Sequence, residues 1–95
     1  MAGSKYAAVR VVFRPVTDDL AGNRKILHAE ESIELVEFEG EAHNGDIVRI
    51  HGRTEDGMDV IVSTPESAQR SVRAREGGGP YSSLGCVERI EGVCA

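Results

Sequence analysis

Cys86, Cys94, His28, His43, His51 and the arginines Arg70, Arg73 and Arg75 are the side chains with the widest chemical reach in this chain. A thiol pair forms disulfides or holds metals, an imidazole beside a carboxylate moves protons, and clustered guanidiniums bind anions. The two cysteines stand eight positions apart, about 12 Å along a helix or about 26 Å along a strand. Neither matches the Cα separation of about 6 Å that a disulfide prefers, so a bridge requires a turn around Glu88–Gly92. There is no Cys-x-x-Cys pair and no Cys/His set at zinc spacing, and free, structurally inert thiols are the simpler reading. No nucleophile is placed by sequence to be activated by a histidine, so a triad cannot be argued. No motif assigns a catalytic residue, a cofactor or a metal.

Arg70, Arg73 and Arg75 precede Gly77-Gly78-Gly79-Pro80. Together they fit an anion-binding cluster, although the glycine run lacks the Gly-Lys-Ser/Thr ending and the strand-loop-helix order of a P-loop. The plainer reading is a basic last helical turn that complements the dipole and pairs Glu66 with Arg70. The glutamates Glu30, Glu31, Glu34, Glu37, Glu39 and Glu41 lack the Asp-x-Asp-x-Asp-Gly layout of a calcium loop. They read instead as a solvated, charge-paired sheet face.

The elements that must position these groups are mostly strands. A chain of 95 residues suffices for one domain, 1–95, with one core. Eleven Val and six Ile stand against four Leu, and β-branched side chains fit a pleated surface better than a helix. Ala7–Arg14 alternates as a strand, with Val12 on its polar side and Pro15 as its stop. Arg14–Lys25 has loop composition, and a second strand begins at Ile26.

The meander 36–63 is the most informative stretch. With Asn44-Gly45-Asp46 as a three-residue loop, Phe38, Gly40 and Ala42 share a face with Gly52, Ile50 and Val48. The other face then pairs Glu37 with Arg53, Glu39 with His51 and Glu41 with Arg49. A slip of one residue would mix Glu with Val and Ile, so this register is the one that separates oil from water. Glu55-Asp56-Gly57 reads as a second three-residue loop with Gly at the positive-φ position. It sets Gly52 opposite Val60, Ile50 opposite Val62 and Arg53 opposite Asp59. Ile33 and Leu35 are out of phase with Val36 and Phe38, which calls for a bulge or bend near Leu35–Val36.

Thr64-Pro65-Glu66 carries the signals of a helix start, predicting a short helix over 64–76 with a thin stripe of Ala68 and Val72. A Gly-rich loop, 77–83, follows. Residues 84–93 read as a last strand, although Cys86, Val87, Ile90, Val93 and Cys94 fall at helical spacing. The expected fold is α+β and β-rich: a curved antiparallel sheet or small partly open barrel of about five strands with one short helix. The run Gly45-Asp46-Ile47-Val48-Arg49-Ile50 resembles strands of small SH3-like and oligonucleotide-binding barrels. It spans only six residues, and no residue pattern identifies a family.

Charge is segregated along the chain. Met1–Lys25 has five basic and two acidic residues, whereas Ile26–Val48 has seven acidic residues and no Lys or Arg. The net charge of −5 argues against nonspecific nucleic-acid binding. No apolar run approaches a membrane span or a signal peptide, so the expected location is the cytoplasm, or a particle assembled there. These features point to a non-catalytic small subunit, adaptor or structural component that docks on a larger protein assembly. Glu37, Glu39, Glu41, Arg49, His51 and Arg53 are its interface candidates, and self-association is compatible with it. The alternative is an anionic-ligand-binding or enzymatic domain using Arg70, Arg73, Arg75 and the Gly-rich loop, with His51 or Cys86 nearby. A third reading, an acidic mimic of nucleic acid, requires those glutamates to be exposed and unpaired.

Overall fold

The computed structural model describes residues 6–18, 20–65 and 69–94. Eight strands form one antiparallel sheet: β1 (Tyr6–Asp18), β2 (Arg24–Ile26), β3 (Glu31–Leu35), β4 (Glu37–His43), β5 (Asp46–Arg53), β6 (Asp59–Ser63), β7 (Ser71–Arg75) and β8 (Ser82–Cys94). The ladder order is β2-β1-β8-β7-β6-β5-β4, and β3 pairs with β1 beyond the end of β2. Among the described residues no ladder closes the sheet. Its ends meet through the chain itself, because Val36 alone separates β3, on β1, from β4, on β5.

The curvature gathers one core from strands far apart in the ladder. Val9, Val11, Phe13, Leu35, Ile50, Val60, Val62, Val72, Ala74 and Val87 bury their side chains together, with Ile33, Phe38, Met58, Leu84 and Ile90 packed at its margin. Each fully buried Val or Leu contributes on the order of 1.5–3 kcal/mol, so a core without Trp still suffices for a small sheet.

The fold is all sheet among the described residues, which overturns the expected α+β class and its count of about five strands. The helix over 64–76 is absent: Ser71–Arg75 is β7, paired with β6 and β8. Glu66 and Ala68 lie outside the described residues. The helix-start signal fails because its Thr is used elsewhere. The Thr64 hydroxyl donates to the Ile47 carbonyl at 2.6 Å and its N–H donates to the Val48 carbonyl at 3.0 Å. Arg70 then takes φ +48°, outside the helical region. Val72 and Ala74 alternate inward with Arg73 and Arg75 outward, as period two requires.

β1 runs through Pro15 to Asp18. On one side of β1 the β3 ladder ends at Phe13 and the β2 ladder begins at Val16, so Pro15 falls in the gap between two ladders. Its carbonyl accepts the Leu27 N–H at 2.8 Å. The strand expected to begin at Ile26 instead ends there as β2, and the supposed loop Arg14–Lys25 is largely strand.

The meander holds. Glu37↔Arg53, Phe38↔Gly52, Glu39↔His51, Gly40↔Ile50 and Glu41↔Arg49 are in register, followed by Ile50↔Val62, Gly52↔Val60 and Arg53↔Asp59. The first turn differs in detail. Asn44 and Gly45 form a two-residue turn with φ +53° and +87°, and Ala42 pairs with Ile47, leaving Val48 as a bulge. One residue fewer in the loop and one extra in the strand cancel, which is why the pairs above them are unchanged.

Two phase breaks share one logic. Leu35 and Phe38 both meet the core across the bend at Val36, and Val87 and Ile90 do so across the unpaired Glu88. Val48 separates Ile47 from Ile50 likewise, but Ile47 is exposed and lies against Gly40, where an added Cβ would come within 3.3 Å of it, and not in the core. In β8 the extra residue imitates helical spacing in what is a strand.

Candidate functional site: the outer face of the β4–β5 hairpin

Nine consecutive residues, Glu39 to Ile47, are exposed. Here β4 and the start of β5 leave the core as a two-stranded ribbon. Such ribbons are marginal in water by themselves. This one is supported by the Asn44-Gly45 turn, by Ile47 over Gly40, and by Thr64 bonding to the backbone of Ile47 and Val48.

The expected interface residues lie on one face; Glu41 pairs straight across with Arg49 as expected, whereas Glu37 with Arg53 and Glu39 with His51 do not. Arg53 sits opposite Glu37 yet turns to Asp59, donating from Nε and Nη2 at 3.2 Å. Arg75 on β7 donates from Nε to the other Asp59 oxygen at 3.3 Å. The hydrogen bond from Arg53, reinforced by that from Arg75, holds the Asp59 carboxyl below its ordinary pKa. Glu41 lies between Arg49 Nη1 and His51 Nε2, each at 3.8 Å. Glu37 and Glu39 therefore have no cation within ion-pair distance among the described residues. They rim a shallow depression of about 350 Å³ with Phe38, His51, Gly52, Arg53 and Asp59.

Of the anion-binding candidates, two share one face of β7 and one precedes the strand. Arg75 is held by Asp59 and lies over the Tyr81 ring at 4.6 Å. Arg73 projects from the same face of β7 two residues earlier, and Arg70 precedes the strand at positive φ. The Gly-rich stretch opens as a turn, with Gly77 and Gly78 at positive φ and the Gly79 N–H donating to the Glu76 carbonyl at 3.1 Å. Cys86 is half-buried and Cys94 exposed, both free, on one strand. His28 and His43 are exposed, and His43 flanks the Asn44-Gly45 turn opposite Asp46. Among the described residues no group of three or more His, Cys, Asp or Glu is placed to hold a metal ion.

A second charged face, on β3, β1 and β8, was missed by sequence reasoning as a unit. Arg10 reaches Glu34 at 3.1 Å and Glu91 at 3.5 Å; Arg89 reaches Glu91 at 2.9 Å and Glu30 at 3.4 Å; Arg14 pairs with Glu88. The hydrogen bond from Arg89 lowers the pKa of Glu91, with Arg10 assisting, and the same bond raises that of Arg89. Val12, the apolar residue on the polar side of β1, is buried beneath this network. The only early sign was the basic N-terminal block, whose arginines meet the acidic block here through Arg10 and Glu34.

Two apolar features complete the surface. Leu20, Ile26 and Leu27 are exposed on and beside the β1–β2 hairpin. A recess of about 520 Å³ lies between Ile47, Ile50, Thr64 and Pro65 on one side and Glu88–Ile90 on the other. No helix among the described residues is long and apolar enough to cross a membrane. No protein-family model, curated protein or solved structure matches the chain.

Proposed function

We propose that this chain is a non-catalytic docking subunit, a small adaptor or structural component of a larger protein assembly. It engages that assembly through the outer face and open edge of the β4–β5 hairpin. The observation that carries this reading is the hairpin itself. Residues Glu39 to Ile47 stand clear of the core, so packing does not account for their presence. Among the described residues Glu37 and Glu39 are left without cations even though Arg53 and His51 sit opposite them. Exposed, unneutralised charge on a projecting element favours steering and recognition over stability. Two free thiols fit the reducing cytoplasm, or a particle assembled in it.

The reading is tested by affinity capture from the native lysate at low and high salt, with the wild type beside Glu37→Lys/Glu39→Lys. A stoichiometric partner that is lost with salt and with the double substitution is expected. A partner that is retained by the double variant would move the interface elsewhere. The anionic-ligand reading has less behind it, because Arg75 is engaged by Asp59 and Tyr81 and the helix meant to cluster the three arginines is a strand.

A further inference from the structure

We infer that the open edge of β4 accepts a basic extended segment of a protein partner as an added strand, with alternate Lys or Arg side chains against Glu37 and Glu39, and with Glu41, held by Arg49 and His51, closing the row. This rests on the docking reading above and specifies its chemistry.

The edge, not the acidic side chains, is the primary feature. β4 forms a ladder only with β5, and its other side, which comes close to β1, has no backbone partner from Glu37 to His43 among the described residues. A run of seven residues is about 23 Å of strand. The edges of β2 and β3 are shorter, at three and five residues, and Ser32–Glu34 of β3 already borders a cleft shared with the Thr54–Met58 turn. An exposed row of backbone donors and acceptors is a template for pairing, and sheets commonly guard such rows with charge, proline or bulges. β4 contains no proline, and the bulge beside it lies in β5, at Val48. Its only guard is charge of a single sign.

That guard is selective. Side chains on one face of a strand repeat about every 6.8 Å, and an added strand repeats with the same spacing. Glu37, Glu39 and Glu41 follow this repeat. A second copy pairing edge to edge would set Glu near Glu, which is destabilising, whereas a strand with Lys or Arg at alternate positions would meet opposite charge at each step. On the other face Phe38 packs at the margin of the core, Gly40 lies under Ile47, and Ala42 is small, so the incoming residues between the basic ones meet an apolar surface. Strand addition draws affinity from main-chain hydrogen bonds and specificity from alternate side chains.

The test uses the full chain and a capped eight-residue peptide alternating Lys and Val, with a Glu-for-Lys counterpart. Two N-methylated versions each block one edge of the peptide backbone. Anisotropy reports binding, and amide spectra of the labelled protein report its place. The Lys peptide is expected to bind with shifts concentrated on residues 37–43, and the Glu peptide not to bind. One N-methylation pattern should weaken binding at least about tenfold while the other leaves it nearly intact, because an added strand uses one of its edges. Glu37→Gln/Glu39→Gln should weaken it by a similar factor. Equal affinity for both methylated peptides, shifts away from β4, or no binding of the Lys peptide would overturn strand addition. The docking reading would still stand in those cases if the native partner is lost on Glu37→Lys/Glu39→Lys; if capture is also unchanged, both fail.

Discussion

The outer face of β3, β1 and β8 and the outer face of β4 and β5 carry the same kinds of side chain but use them differently. On the first, Arg10 and Arg89 link Glu30, Glu91 and Glu34 in one chain of contacts, and Val12 is buried beneath. On the second, Arg53 is drawn off to Asp59, and Glu37 and Glu39 have no cation within ion-pair distance among the described residues. The first face also backs the core, while the tip of the second backs nothing. Charge that closes on itself serves the fold, and charge left open on a projecting ribbon is available to something outside.

The comparison is sharpened first at the core. Leu35 is fully buried where β3 bends into β4, and Leu35→Ala should cost roughly 2–5 kcal/mol in denaturant unfolding. A smaller loss would mean that the bend tolerates repacking. Next is the hairpin turn. Gly45 sits at φ +87°, so Gly45→Ala should cost about 1 kcal/mol or more. Amide exchange should rise in residues 39–47 and leave β1 and β8 protected. Spread of the effect to β8 would show that the hairpin belongs to the core's cooperative unit.

Arg10→Gln removes two contacts of the closed network and should cost roughly 1 kcal/mol or less, with the loss shrinking as salt rises. At the small end, Glu37→Gln/Glu39→Gln should change stability by no more than about 0.5 kcal/mol. If those two substitutions destabilise the chain more than Arg10→Gln does, the contrast between the two faces is broken.

Acid provides a separate handle. Asp59 and Glu91 are held below their ordinary pKa by arginine hydrogen bonds in the folded state. Their contribution is therefore complete above the unfolded-state values and is lost as pH falls through the lower folded ones. Denaturation midpoints should hold near neutrality and decline below about pH 4. Asp59→Asn should flatten part of that decline.

The register of β4, β5 and β6 was legible because alternation there is strict and each slip has a visible cost: Glu would be driven toward Val and Ile. Gly57, at φ +93°, was legible for the same kind of reason, since the turn requires it. The candidate residues Glu37, Glu39, Glu41, Arg49, His51 and Arg53 were found on their face by that register. Two of their contacts, Glu41 with Arg49 and Arg53 with Asp59, followed from it as well. The rest did not: Arg53 has two acids opposite it on neighbouring strands and bonds to only one, and Arg75 arrives from β7 at the other oxygen of Asp59. Nothing near Arg53 in the chain records that arrival.

Residues 64–76 show the limit most plainly. Thr64-Pro65-Glu66 is a local signal, and local signals favour a helix there. The pairings of Val72 with Val62 and of Arg75 with Asp59 are contacts between strands, and they outweigh it. The sequence by itself determined that the protein would be built of Val- and Ile-rich strands, that Phe38, Ile50, Val60 and Val62 of the central meander share the inward face, and where its turns need glycine. Only the tertiary structure decided that 71–75 is a strand, that Glu88 and Val48 are bulges, that Gly40 and Ala42 are exposed, and that Glu37 and Glu39 have no cation beside them among the described residues. Alternation and turn chemistry act between neighbours in the chain, whereas a strand's partners and an arginine's choice of carboxylate are set by residues that only folding brings alongside.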